Sequence, residues 1–216
     1  MSEPGAVLGE MERDALTELV NIGVSRAAAS LRKMVGGEVL LSVPSVEVIG
    51  NRQAAALIQE REGGELVAVW QEFSGAFKGR ALLIFPHANS LELVRAVVGA
   101  AVPAEEVTGL EDEALTETGN VILNSCLATM ANMLQRPLAM SLPQVLRGRG
   151  EALLSVPGGA GDEGLVLFLY INFSVRDRSI RGYIAMVMDL PSLGALRLLV
   201  GDFIERVMRD EPDHDL

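Results

Sequence analysis

The chain repeats itself. Glu18 and Glu117, Asn21 and Asn120, and Pro44 and Pro143 each stand 99 positions apart, and the prolines occupy similar frames, SVPSV and SLPQV. Gly79 in KGRALLIF answers Gly182 in RGYIAMVM 103 positions on. The segments Ser90 to Gly99 and Ser192 to Gly201 share Ser-Leu, then Arg, then Val-Gly, at an offset of 102. Four landmarks in one order (the Glu–Asn motif, the proline, the glycine and the closing segment), drifting by a few residues, point to internal duplication. Either copy alone has too small a core, so the two must pack into one body. The expected fold is an α/β (α+β) sandwich built from a duplicated helix–strand–hairpin–helix unit with a pseudo-twofold axis. It would form a single domain over 1–216, with one copy over about 10–100, the other over about 109–208, and a tail at 209–216.

Hydrophobic spacing supplies the elements. From Glu10 to Val35 the residues Leu16, Val20, Val24, Ala27 and Leu31 recur at helical intervals, and the Gly pair at 36–37 ends the helix. EVLLSVPSVEVIG reads as a strand interrupted by Pro44, which cannot donate a ladder hydrogen bond. Residues 52–61 read as a short helix or a surface excursion. ELVAVWQEF and KGRALLIF form a hairpin, followed by a helix from about Asn89 to Val98 capped by Asn89 or Ser90. The second copy runs in the same order. A helix spans about Leu110 to Leu134, and LAMSLPQVLRG is a strand around Pro143. PGGAGDEG is a loop, LVLFLYINF and IRGYIAMVM form a hairpin around SVRDRS, and a helix runs from about Ser192 to Val207.

Composition narrows the functions. With 18 basic against 29 acidic side chains the net charge is −11, which argues against nucleic acid and against an anionic membrane surface. The opening MSEPGAVLGEMERD lacks the basic and apolar stretches of a secretory leader, and no apolar run reaches the roughly 18 to 20 residues of a membrane span. Cys126 is the single cysteine and His87 and His214 the only histidines, so neither a disulfide nor a zinc site is expected. These features describe a reduced, cytoplasmic, soluble protein. Cys126 falls on the apolar side of its helix and reads as packing, as do Met130, Met133 and Met140. PGGAGDEG lacks the lysine and the strand-to-helix setting of a phosphate loop. Trp70 lies in a strand, and His87, after Pro86, reads as surface or cap.

The polar faces of the two long helices are more informative. Asp14, Glu18, Asn21 and Ser25 fall at spacings of four, three and four, opposite the apolar stripe. Glu113, Glu117, Asn120 and Asn124 repeat the pattern opposite Ile122, Cys126, Met130 and Met133. Each copy is thus expected to present a carboxylate and a carboxamide, one turn apart, toward solvent. A polar stripe also serves solubility alone, and an asparagine can bond to neighbouring backbone. Yet asparagine costs roughly half a kcal/mol against alanine inside a helix, and it is placed there twice. An amide donates and accepts together, so it can orient a water for attack. Phosphoryl hydrolysis depends mainly on positioning and charge stabilisation, so a neutral amide can suffice if the substrate brings metal and cation with it. A substrate that is itself a protein active site would do so.

Asp14, Glu18, Asn21 and Pro44, with Glu117, Asn120 and Pro143 repeating the same gap of twenty-two residues between Asn and Pro, resemble the signature of the CheC, CheX and FliY phosphatases of bacterial chemotaxis. The wording ELVNIG and ETGNVI is also similar, and the likeness covers about residues 10 to 208. Two complete motifs look more like CheC than like CheX, and no switch-complex domain follows the repeats as in FliY. The resemblance implies a CheC-like fold and a hydrolase that dephosphorylates the aspartyl phosphate of a CheY-type response regulator. Asn21 and Asn120 would position water, Glu18 and Glu117 would dock to a lysine of the receiver, and Asp14 and Glu113 would bind beside them. No cofactor of its own is implied. Magnesium would sit on the receiver, and CheD is a further partner of CheC proteins. A non-catalytic module binding the receiver or CheD is the alternative. The chain departs from the family wording after NIG: Ser25 replaces a glycine, and Arg26 puts a cation near the first site. There it would meet an acidic patch on the partner or crowd the docking surface.

Overall fold

A computed structural model describes residues 8–98, 108–154, 164–175 and 178–210. The expected loop at PGGAGDEG falls almost wholly outside these residues, as do the centre of SVRDRS and the tail beyond Asp210.

Helix α1 (Glu10–Val35) forms where the apolar stripe predicts, with Leu16, Val20, Val24, Ala27 and Leu31 all buried. Gly36 closes it at φ 59°, its N–H reaching the carbonyl of Arg32, a conformation costly for a side chain with a Cβ. The chain then makes β1 (Val39–Ser42), breaks at exposed Pro44, and resumes as β2 (Val46–Gly50). Helix α2 (Asn51–Glu62) follows, then β3 (Leu66–Gly75), β4 (Gly79–Pro86) and α3 (His87–Val98). The second copy gives α4 (Glu111–Met133), β5 (Leu138–Met140), β6 (Gln144–Gly148), α5 (Gly150–Leu154), β7 (Leu165–Val175), β8 (Arg178–Met188) and α6 (Leu190–Asp210).

Three expectations change. The second copy carries an unforeseen short helix, α5, between its broken strand and its hairpin, whereas residues 52–61, which read as a short helix or a surface excursion, fall within helix α2. Helix α3 begins at His87, so Asn89 and Ser90 lie within its first turn rather than capping it. Ser90 instead donates to the carbonyl of His87 at 2.8 Å. The last helix begins at Leu190 and runs through Asp210, beyond the expected end at Val207.

The strands form one antiparallel sheet in the order β1–β7–β8–β4–β3–β5, with β2 also on β7 and β6 also on β3. The copies are interleaved. The broken strand of the first copy pairs with the hairpin of the second, and the reverse holds at the other edge. At the centre β4 meets β8, with Leu82 opposite Ala185, which is where a twofold relating the copies must pass. Helices α1, α3, α4 and α6 cover one face over a core that includes Leu19, Leu83, Phe85, Leu127 and Ile184. The short helices α2 and α5 cover the other over Ile58, Leu153, Phe168 and Tyr183. Covering both faces explains why ALLIF and LVLFL are continuous apolar runs rather than alternating ones.

Asp189 caps α6. Its Oδ1 accepts the backbone N–H of Ser192 at 2.8 Å, and the Ser192 hydroxyl and N–H together hold its carboxyl below the ordinary carboxylate value. A depressed folded-state pKa means that the stabilisation is complete above the unfolded pKa of about 4 and fades as pH falls through the folded value. Asp189→Ala is therefore expected to cost about 1 kcal/mol in urea unfolding at pH 7. The gap from wild type should narrow in acid.

Candidate functional site

Helices α1 and α4 bring the two polar stripes onto neighbouring elements. They lie so close that a Cβ added at Gly23 would stand 2.7 Å from the Cα of Cys126. Cys126 is fully buried and its thiol is pushed up to about 12 by loss of solvent, so it packs and does not attack. Asp14, Glu18, Glu113 and Glu117 are all exposed, and none makes a hydrogen bond or ion pair among the described residues. Four exposed carboxylates, without a cation partner among the described residues, are available to a partner.

The amides differ. Asn21 is half-buried and turned toward the break between β1 and β2. Its Nδ2 donates to the carbonyl of Val43 at 2.8 Å and its Oδ1 accepts the N–H of Val43 at 2.9 Å. Val43 is 1% exposed and immediately precedes Pro44. The amide thus serves as the strand partner that Val43 loses where the ladder is interrupted, which gives the Asn-to-Pro spacing a structural use in the first copy. The expectation that both copies present their amide to solvent holds poorly for Asn21, because both its polar ends are bound to backbone.

Asn120 is held otherwise. Its Oδ1 accepts Asn124 Nδ2 at 2.6 Å, and Asn124 Oδ1 accepts Gln71 Nε2 at 2.6 Å. The Asn120 Nδ2 has no partner among the described residues. At the position matching Val43, Leu142 is 85% exposed, and its carbonyl accepts the hydroxyl of Ser141. The pairing of the fourth stripe positions also fails. Ser25 is exposed, whereas Asn124 is half-buried and bonded at both ends of its amide.

Arg26 does not crowd the first site, because its Nη1 donates to the hydroxyl of buried Thr129 at 3.2 Å, tying α1 to α4. Gln71 is the site residue that sequence reasoning missed. Its signal was a single amide among the apolar residues of ELVAVWQEF. Trp70 is half-buried beneath the Arg80 guanidinium, and His87 lies 3.9 Å from Glu111 at the start of α3. Among the described residues no group of three or more His, Cys, Asp or Glu is placed to hold a metal ion, and no helix is long and apolar enough to cross a membrane.

No protein-family model matches the chain. It is 21% identical over 203 residues to the CheY-P phosphatase CheC of Bacillus subtilis, spanning 89% of this chain and 95% of that protein. It is 26% identical over 140 residues to the flagellar motor switch phosphatase FliY of the same organism, a match that takes in 64% of this chain but only 36% of that longer protein. The crystal structure of Thermotoga maritima FliY superposes with a TM-score of 0.72 at 18% identity, covering 91% of this chain and 99% of that one. That likeness establishes a shared fold.

Proposed function

We propose that this relative of the CheC, CheX and FliY proteins is a protein aspartyl-phosphate phosphatase acting on a CheY-type response regulator in chemotaxis signalling. The observation that carries the reading is the doubled Glu–x–x–Asn pair on two adjacent helices, with exposed, unpaired Glu18 and Glu117.

The chemistry follows from what the chain has and lacks. Water attacks phosphorus, the phosphorus–carboxylate bond breaks, and the aspartate carboxylate leaves with the bonding pair. Asn120 aligns the water: Nδ2 holds its oxygen, and Oδ1 keeps a second lone pair for one of its hydrogens. Positive charge for the transferring group comes from the receiver, through its magnesium and a lysine, and Glu117 docks against that lysine. Such a pair is worth about 1 to 3 kcal/mol when partly desolvated. Asp14 and Glu113 extend the acidic docking faces one turn further. The reading implies a cytoplasmic protein. The clamp on Asn21 favours a docking role for the first site, with Glu18 contacting the receiver while its amide stays on Val43.

The test is phosphate release from a receiver phosphorylated with acetyl phosphate in the presence of magnesium. The chain should shorten the lifetime of the phosphoryl group, and Asn21→Ala with Asn120→Ala together should abolish that effect while the circular dichroism spectrum is retained. Unchanged acceleration in the double variant defeats the mechanism. A complex that forms by titration but leaves the lifetime unaltered defeats the enzyme reading in favour of a binding module.

A further inference from the structure

We infer that Gln71 and Asn124 are positioning residues that fix the orientation of the Asn120 amide, so that the second site is assembled by both copies of the repeat. The inference rests on the phosphatase reading and deepens it.

Gln71 belongs to β3 of the first copy. Strand β3 pairs with β6 through Leu66 to Trp70 and with β5 through Phe73 to Gly75, so Gln71 faces the interruption that Pro143 makes at that sheet edge. Val69 and Gln71, two residues apart, point to the same side of the sheet, the side on which α4 lies. At Gly119 the helix sits directly on Val69, where an added Cβ would stand 2.4 Å from Val69 Cγ1. That close approach brings the next turn of α4 within reach of the strand.

The bonds then have a direction. Gln71, fully buried, donates to Asn124, and Asn124 donates to Asn120. Each link uses an acceptor oxygen, so the last amide must turn its nitrogen away from the relay. Gln71 Oε1 is left without a partner among the described residues, an arrangement that costs stability in a buried amide and that packing alone does not require. The first copy has no such device, because the residues facing its strand break are Tyr170 and Ile171 and the position matching Asn124 is exposed Ser25.

Three full-length variants test the relay. Asn124→Ala removes both links, Gln71→Leu removes the anchor, and Asn124→Asp still accepts from Gln71 but cannot donate to Asn120. Turnover left in Asn120→Ala is subtracted as the background independent of the Asn120 amide. Each variant should lower kcat for receiver dephosphorylation by about tenfold, as loss of orientation does, with KM unchanged. In nitrogen-15 spectra the Asn120 side-chain amide signals should move in all three. Wild-type kcat in Asn124→Asp, or Asn120 amide signals that stay in place in Asn124→Ala, would overturn the proposal. If the wild-type chain leaves receiver phosphate untouched, the phosphatase reading fails, and the amide spectra still decide the relay. Asn124 is half-buried in mid-helix, so its variants remain informative should Gln71→Leu not fold.

Discussion

Asn120→Ala alone is expected to lower receiver dephosphorylation about 100-fold, the scale on which loss of positioning acts. It should leave unfolding within about 0.5 kcal/mol of wild type, since alanine favours a helix and Asn120 is only half-buried. Asn21→Ala is expected to do the opposite. It removes both partners of Val43, whose N–H and carbonyl are shut away from water, and should cost about 2 kcal/mol in urea unfolding. Most turnover should survive, because in the free protein this amide is engaged at both ends by Val43 and held in the orientation that the strand break requires. The pair is measured by single-turnover phosphate release alongside equilibrium unfolding. Asn21→Ala as inactive as Asn120→Ala, with unchanged stability, would show that the clamp opens freely and that the sites are equivalent.

The second large effect is on stability. Gly23→Val is expected to destabilise the fold by about 3 kcal/mol, and Gly23→Ala by about 1 to 2. What an added Cβ meets is the Cα of Cys126 at 2.7 Å and the carbonyl oxygen of Ser125 at 3.2 Å. Backbone cannot rotate aside as a side chain can, so α1 and α4 must separate. Because those helices carry both Asn–Glu pairs, phosphatase activity should fall in step with the folded fraction and recover on cooling below the lowered midpoint. Thermal unfolding with activity read at several temperatures checks this. A Gly23→Val protein as stable as wild type would mean that the helix pair is more loosely packed than its contacts suggest.

The contrast between Asn21 and Asn120 also shows where sequence is informative and where it stops. The duplication, the two long helices and both hairpins were legible because each is written as a periodic apolar pattern that burial enforces. Helix α2 was ambiguous because it buries little besides Ala54, Ala55 and Ile58, leaving only a short stripe. Helix α5 has five residues, too few to show a period. At the site, the exposed carboxylates lay where helical spacing put them. The fate of the amides did not follow from spacing, since Asn21 and Asn120 occupy equal positions in equal motifs. It depends on the strand break beside each one: Val43 turns inward and gives its backbone to Asn21, whereas Leu142 turns out. Gln71 was invisible for a related reason. Its role depends on which strand neighbours the break, and sheet order across copies is not encoded in local pattern.

That sheet order bears on how such a chain could have arisen. A polypeptide of half this length, holding one broken strand and one hairpin, could complete the same eight-stranded surface only by exchanging edge strands with an identical molecule. Joining the halves turns an association that depends on concentration into one fixed by a tether. It also ends the obligation of the two partners to be identical. Once fused, one half could keep its amide for building the molecule while the other left its amide nitrogen unengaged.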